Sequence, residues 1–468
     1  MLKYGKDAMA LLRKKLLLLI VFLLSLASCG NSDNYEAYFG GEVSSPQCRY
    51  ILFCRDNKVI DTLPLDEKNR FFVKFDSLTP GLYSFKNEPD FQYVYFDKND
   101  SIMVNLNAKH FDESLVFSGR GNEKNNFMME LFLMNEKDRT KSAFIYDYNL
   151  NDFMHTIDSI NNERISYYNT EKQRIGWNED FDFYAKSRVD LNYYTKREYY
   201  PYIHKRHTDE DIRDRMPDDF YNFRKDVALN DPRLTNYSPF MRYVTAMINN
   251  IAQDKYNQVT GNDSEINIIK LNVADSVFTN QSVKNQVLNT LAFNYLLEDQ
   301  NMINNQAFIQ RYDELCTDDS DSNEIMRIGR AVRQLKAGNK LPEIALVDSY
   351  DNHVDINNNI DKETVIFFWS SCSNNRTKLV HNKVNALQQQ HPNVNFIAVN
   401  IDEDAEWKKL IKQYDFKSIC QLRASDFRAL KDKWVLTKIN RTIILNPDGT
   451  IKNAFTNLMD SNFSQNLQ

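Results

Sequence analysis

Residues Val365 to Arg376 read Val-Ile-Phe-Phe-Trp-Ser-Ser-Cys-Ser-Asn-Asn-Arg, and they constrain the chain more than any other stretch. The apolar and aromatic run from Thr364 to Trp369 predicts a buried strand, which breaks into small polar residues and one cysteine just ahead of a helical pattern. A thiol therefore sits at a strand-to-helix corner. The first turn of a helix offers unpaired N–H groups and the positive end of the backbone dipole, which favour a thiolate over a thiol.

The run Phe367-Phe368-Trp369-Ser370-Ser371-Cys372-Ser373-Asn374-Asn375-Arg376 resembles the active-site corner of periplasmic thioredoxin-like proteins, the thiol-disulfide oxidoreductases whose pattern is Phe-Trp-Ala-Ser-Trp-Cys-x-x-Cys-Arg. One residue is missing between the tryptophan and the cysteine. With that gap, Cys372 takes the first cysteine's place, Asn375 the second's, and Arg376 aligns as well. Without it, Ser373 and Arg376 would stand in the cysteine places and the site would hold no thiol. In the gapped register the resemblance implies a dithiol reduced to one candidate thiol, Cys372. It also implies a cis-proline ahead of the hairpin strand, facing the cysteines, and Asn440 stands there before Arg441-Thr442. A non-proline cis bond costs about 2.5–4 kcal/mol, so a trans bond and a reshaped loop are expected.

The N-terminus points to export. Lys3, Lys6, Arg13, Lys14 and Lys15 precede an apolar run from Leu16 to Leu24, too short for the about 20 residues a membrane span needs. The run ends in Leu26-Ala27-Ser28-Cys29-Gly30, which resembles a bacterial lipobox. That implies residues 1–28 as signal peptide, lipidation at Cys29, attachment to a bacterial envelope membrane, and a tether over 29–36. A formal charge of −6 argues against a nucleic-acid partner. With Cys29 lipidated, Cys48, Cys54, Cys316, Cys372 and Cys420 remain, an odd number that leaves at least one thiol unpaired. Cys48 and Cys54 are expected on one strand about 20 Å apart, beyond disulfide reach.

Residues 37–122 read as short strands at Arg49–Cys54, Val59–Leu63, Phe71–Phe75, Leu82–Phe85, Gln92–Phe96, Ile102–Leu106 and Leu115–Ser118, with turn residues between them. The expectation is a small all-β sandwich-like domain. Its layout and the Phe-Ser-Gly-Arg-Gly-Asn at 117–122 resemble the β domain of unknown function that precedes thioredoxin-like domains in lipoproteins of Bacteroidetes. Residues 123–337 turn helical and rich in Tyr, Asn and Asp. Phe240, Val244, Met247, Ile248 and Ile251 form one core stripe, and Val283, Val287, Leu288, Leu291 and Tyr295 another. His204 and His207 stand three apart beside Asp209, Glu210 and Asp211, but no third spaced ligand completes a metal site, so a solvated face is expected. The acidic run Asp318–Glu324 lacks the turn glycine of a calcium loop and reads as a linker. The sequence implies neither metal nor cofactor.

From Gly338 the chain alternates strand and helix. Gly338 to Glu343 resembles the opening strand of the family's fold. Val380, Val384 and Leu387 line one helix, Trp407, Leu410, Ile411 and Tyr414 the next, and Phe427, Leu430 and Trp434 a third. Asn446-Pro447-Asp448-Gly449 marks a hairpin between Thr442–Leu445 and Ile451–Phe455. That order is similar to the thioredoxin fold over 338–468, giving a multidomain chain of β domain, α-helical region and C-terminal α/β domain. Two functions follow from the resemblance. One is a degenerate thiol-disulfide protein acting through a single thiol on a protein thiol or disulfide partner. The other is a non-catalytic lipoprotein that binds a protein or ligand on a retired thioredoxin scaffold.

Overall fold

A computed structural model describes residues 36–467 apart from 47, 89, 142–143, 260–262, 299–304, 372–373, 403–405, 415 and 417–418. Both Cys29 and Cys372 therefore lie outside the described residues. Among those described, no helix is long and apolar enough to cross a membrane.

The N-terminal domain is a β sandwich. Strands β1 (Ala37–Ser44), β4 (Arg70–Phe75), β7 (Ser101–Asn107) and β8 (Val116–Arg120) form one sheet in the order β4-β1-β7-β8. Strands β2 (Tyr50–Arg55), β3 (Lys58–Pro64), β5 (Gly81–Asn87) and β6 (Asp90–Phe96) form the other, in the order β3-β2-β5-β6. Alternation turns Phe39, Phe53, Phe85 and Phe96 into the shared core, with ring centroids 5.3–5.9 Å apart where they meet Phe39. Strand β1 was not among the strands expected, because Gly40-Gly41 reads as a breaker. The glycines are instead what lets β1 sit between its neighbours, since a Cβ on Gly41 would fall 2.2 Å from the carbonyl oxygen of Val104 on β7. Cys48 precedes β2 rather than sharing it with Cys54, and both side chains are buried.

The central region is helical: α1 (Asn122–Lys141), α2 (Leu150–Ile175), α3 (Glu179–Thr208), α4 (Ser238–Val259), α5 (Asp263–Val277), α6 (Gln281–Glu298), α7 (Asn305–Leu315) and α8 (Asp319–Gln334). The acidic run expected as a linker opens α8. Asp318 caps it by accepting hydrogen bonds from the backbone N–H of Ser320 and Asp321, so the carboxylate that looked like loop chemistry starts a helix. His204 is buried rather than solvated, and its Nδ1 meets the carbonyl of Tyr146 at 2.8 Å. His207 Nδ1 meets Asp147 Oδ1 at 2.6 Å. These two contacts clamp the turn 145–147 against the end of α3.

The C-terminal domain holds a seven-stranded sheet in the order β10-β9-β13-β12-β11-β14-β15. Its strands are β9 (Leu346–Val347), β10 (His353–Val354), β11 (Thr364–Trp369), β12 (Asn395–Asn400), β13 (Cys420–Ala424), β14 (Arg441–Leu445) and β15 (Ile451–Asn457). The opening strand expected at 338–343 is absent. Lys340 makes one isolated bridge to Thr450, and Pro342 has no N–H to carry a ladder further.

Alternation splits the sheet into two apolar faces. Val365, Phe367 and Trp369 pack under α9 (Asn374–Gln390) and α10 (Glu406–Tyr414) through Val380, Val384, Trp407 and Leu410. Ile366, Phe368, Ile397 and Val399 pack on the opposite face with Leu430 and Trp434 of α11 (Phe427–Trp434), in a core continuous with Ile325, Ile328 and Val332 of α8. Phe427, expected on the buried stripe of α11, is 37% exposed because it stands at the helix's first position. Arg327 of α8 binds Asp432 of α11 at 2.5 Å and fastens the central region to that face.

Candidate functional site

Strand β11 covers the expected residues and is buried along its whole length. Parallel pairing to β12 and antiparallel pairing to β14 hold it at the centre of the sheet. Beyond Trp369 the chain turns toward α9, and the turn is organised by Asp402 at the end of β12. The Asp402 carboxylate accepts from Ser370 Oγ at 2.6 Å, from the backbone N–H of Ser371 at 2.5 Å, from Ser371 Oγ, and from Asn400 Nδ2 at 2.9 Å. Several donors on one ionised acceptor fix both serines, because charge-assisted hydrogen bonds are the stronger kind. Thr377, in the first turns of α9, donates from Oγ1 to the carbonyl of Ser370 at 2.8 Å and ties helix to corner.

One turn further along α9 lies His381, fully buried. Its Nδ1 is 2.8 Å from the carbonyl of Thr377 and its Nε2 is 3.2 Å from Gln421 Nε2. A carbonyl only accepts and an amide nitrogen only donates, so the ring is neutral with its proton on Nδ1. The imidazole stacks on Phe416 at 3.7 Å and meets Trp369 edge-on at 5.3 Å. Burial pushes its pKa down to about 4, against a weaker upward pull from the Thr377 carbonyl. His381 is thus a packing element of the corner, with no exposed nitrogen to serve as a base.

Cys372 itself lies outside the described residues, as do the side chains of Asn375 and Arg376, whose backbone belongs to the first turn of α9. The other cysteine of this domain, Cys420, is described. Ile366, Ile397 and Cys420 stand level across three strands, while Trp369 is level with Asn400 and Arg423. Cys420 is therefore set back from the corner by three residues along the strands and two strand spacings across, each roughly 10 Å. It is exposed, yet partial desolvation of the thiol, followed by the Asp348 carboxylate, pushes its pKa up.

Asn440 stands in the turn ahead of β14. The pairing of Phe367 with Thr442 carries the register to Asn440 at the level of Trp369, so the turn and the thiol corner share one end of the sheet. The Asn440 carbonyl accepts from the N–H of Leu458 at 3.1 Å. The next residue, Arg441, is 7% exposed. It donates from Nε to the carbonyl of Ala454 at 2.8 Å and from Nη1 to that of Val435, with its guanidinium 4.2 Å over the Phe455 ring. Sequence reasoning passed over Arg441, His381 and Asp402 as site residues. Each has a partner at least 6 residues away, Val435 for Arg441, Ser370 for Asp402 and Gln421 for His381, and no local spacing signals such pairs.

The family model described as thioredoxin-like matches residues 361–451. The C-terminal domain is thioredoxin-like. Among solved structures, a candidate thiol-disulfide oxidoreductase from Bacteroides vulgatus is 20% identical, with 28% of this chain and 94% of that one covered at a TM-score of 0.26. A domain of a possible thiol-disulfide isomerase from Cytophaga hutchinsonii is 20% identical, covering 28% and 90% at 0.25. The thioredoxin domain of a Bacteroides vulgatus thiol-disulfide oxidoreductase is 25% identical, covering 25% and 86% at 0.21. No curated protein matches the sequence.

Proposed function

We propose that this protein is an envelope-anchored lipoprotein whose thioredoxin-like domain works with one thiol, Cys372, and stops at a single mixed disulfide. The observation that carries this reading is the missing second thiol. Position 375, in the first turn of α9, is Asn, and Cys420 is held strands away by the β11-β12-β13 register. In such a protein the Cys372 thiolate attacks one sulfur of a partner disulfide. A new S–S bond forms as the old one breaks, and the partner's other sulfur leaves as a thiolate that takes up a proton. With Asn at position 375 that turn supplies no second thiol to attack the mixed disulfide, so its release waits for an outside low-molecular-weight thiol.

A disulfide-reductase assay without added thiol should show turnover at background. Mass spectrometry of the alkylated protein should show at most one partner bonded through Cys372. Robust multiple turnover that vanishes in Cys372→Ser would overturn the reading. The anchor rests on the basic, apolar, Leu-Ala-Ser-Cys order before Gly30, and two acyl chains hold stably where one is marginal. Gly30 after the cysteine, in place of Asp, favours the outer membrane, with the chain on its periplasmic side or at the cell surface. Cys29→Ala should lose lipid label and leave the membrane fraction. A second reading, a non-catalytic binding protein, is favoured by the hollow beside Asn440.

A further inference from the structure

A pocket of about 60 Å³ opens in the central region where α1, α3 and the start of α4 meet. Phe132 and Glu136 of α1, Arg188 of α3, and Ser238 and Arg242 of α4 are among the residues that line it. The space is that of roughly four waters.

Arg188 is 7% exposed and makes no hydrogen bond or ion pair among the described residues. The Phe132 ring lies 5.4 Å from its guanidinium and holds it without neutralising it. Tyr237 is near enough for the guanidinium charge to act on its phenol, yet that hydroxyl is buried and makes no hydrogen bond. Arg164, as deeply buried, meets Asp138 at 2.6 Å instead. In the hollow of about 260 Å³ beside Asn440, Arg441 Nη2 also lacks a partner, but it is sealed from solvent and a ligand there cannot reach it. No nitrogen of Arg188 is sealed in that way. Its unpaired donors reach accessible surface, and the space beside them is this pocket. A buried cation without a counter-ion is costly unless an anion reaches it.

The rest of the lining points the same way. Arg242 is exposed at the rim and has no hydrogen bond or ion pair among the described residues. Ser238 brings an exposed hydroxyl, unpaired among them, to the positive end of α4, a helix of 22 residues. The backbone N–H groups of Ser238, Phe240 and Met241 are already given to the Tyr93 hydroxyl and the Tyr237 carbonyl, so side chains must supply the donors. Glu136, the acidic side chain in the lining, is held by Arg139 at 2.6 Å.

We propose that this pocket binds a phosphate group, free or esterified, with Arg188 donating from the floor, Arg242 supplying a second guanidinium at the rim, and the Ser238 hydroxyl donating at the start of α4. Guanidinium forks match phosphate oxygens, and donors from three directions suit a tetrahedral oxyanion better than a planar carboxylate. A space of roughly four waters takes the four oxygens and little carbon, so the body of an ester lies outside. The inference does not depend on the reactivity of Cys372, because neither arginine needs a thiol.

The test is isothermal titration calorimetry of the full chain at neutral pH with sodium phosphate, with glycerol phosphate and with sodium acetate, at matched ionic strength. Heat of binding is the readout because phosphate also stabilises folded proteins without binding them. Phosphate or glycerol phosphate should give a saturable one-site isotherm, and the tighter of the two identifies the free ion or the ester as the form the site takes. Acetate should bind on the order of ten-fold more weakly, the worth of one lost charge-assisted hydrogen bond. Arg188→Gln should abolish saturation. Arg242→Gln, at an exposed position that folding tolerates, should weaken binding about five-fold, the worth of an exposed charge contact. The proposal is overturned if neither phosphate compound gives a saturable isotherm, if acetate binds as tightly, or if either arginine variant binds as the wild type does. Because Arg242 is exposed, its variant keeps the test decisive should Arg188→Gln fail to fold.

Discussion

The two faces of the C-terminal sheet are built on different terms. The face of Val365, Phe367 and Trp369 is covered by α9 and α10, which belong to the same α/β unit, and at its end the corner polar groups are gathered onto Asp402. The face of Ile366, Phe368 and Val399 is covered by α11, and the core there runs on into the apolar side of α8, a helix of the central region that packs on α11. The hollow at Arg441 also takes one wall, Leu297, from that region. One face is finished from within; the other is borrowed. The central helices are therefore part of the second face's core and of its pocket, and more than a spacer between two domains.

The largest effect should come from removing the lender. The Gly338 and Pro342 punctuation suggests that a chain starting at Ala337 would fold alone, yet such a chain would leave Ile366, Phe368 and Trp434 without the Ile325, Ile328 and Val332 side of α8. Several fully buried side chains would meet water, at about 1.5–3 kcal/mol each, against a total stability of about 5–15 kcal/mol for a domain. The expected product binds a hydrophobic dye and lacks a cooperative melt. Two-state unfolding by that fragment would show that α8 is dispensable and that the two faces are equally self-contained.

Next comes the acid response of the self-contained face. His381 has a folded pKa near 4 against an ordinary value of 6.5, so between these limits the unfolded chain binds a proton that the folded one refuses. Its contribution is intact above pH 6.5 and is lost as pH falls toward 4, amounting to roughly 3 kcal/mol in all. Denaturant unfolding of the wild type should weaken across that window more steeply than that of His381→Gln. Equal slopes would mean that the imidazole titrates freely and is not locked between Thr377 and Gln421.

Smaller again is the loss from Asp402→Ala. Ser370, Ser371 and Asn400 lose a common ionised acceptor, but the corner is only half-buried and water takes up part of the demand. A drop of about 2 kcal/mol in unfolding free energy at an unchanged denaturant slope is expected. A loss below about 0.5 kcal/mol would show that the corner is held by Thr377 and Trp369 instead.

What the sequence disclosed follows the same division. The strand Thr364–Trp369 is legible because a run buried on both faces is apolar throughout, and the α9 and α10 stripes because helical spacing shows which side is covered. Their partners are near in sequence. The borrowed face is not legible, because nothing local to Ile325 or Ile328 says which sheet they cover, and the acidic residues ahead of them read as a linker until Asp318 is seen capping α8. Strand β1 hid behind Gly40-Gly41 for a related reason, since the need for small residues is imposed by Phe71 and Val104 from elsewhere in the chain. At the site, Asn375 and Asn440 could be placed by resemblance, whereas the Asp402 cluster and the burial of Arg441 depend on strand register.

The smallest expected effect is the most discriminating for the borrowed face. Arg441→Met removes a buried cation that has no carboxylate partner among the described residues, along with two hydrogen bonds to the carbonyls of Val435 and Ala454. Stranding two carbonyls costs about 1 kcal/mol or more apiece, while relief of a desolvated charge works the other way, and replacing buried charge by well-packed apolar groups is often neutral or stabilising. The two nearly cancel, so stability should stay within about 1 kcal/mol of wild type. A loss above about 3 kcal/mol would make Arg441 a brace of the β14 turn, as firmly satisfied as the corner at Asp402, and the contrast between the two faces would disappear.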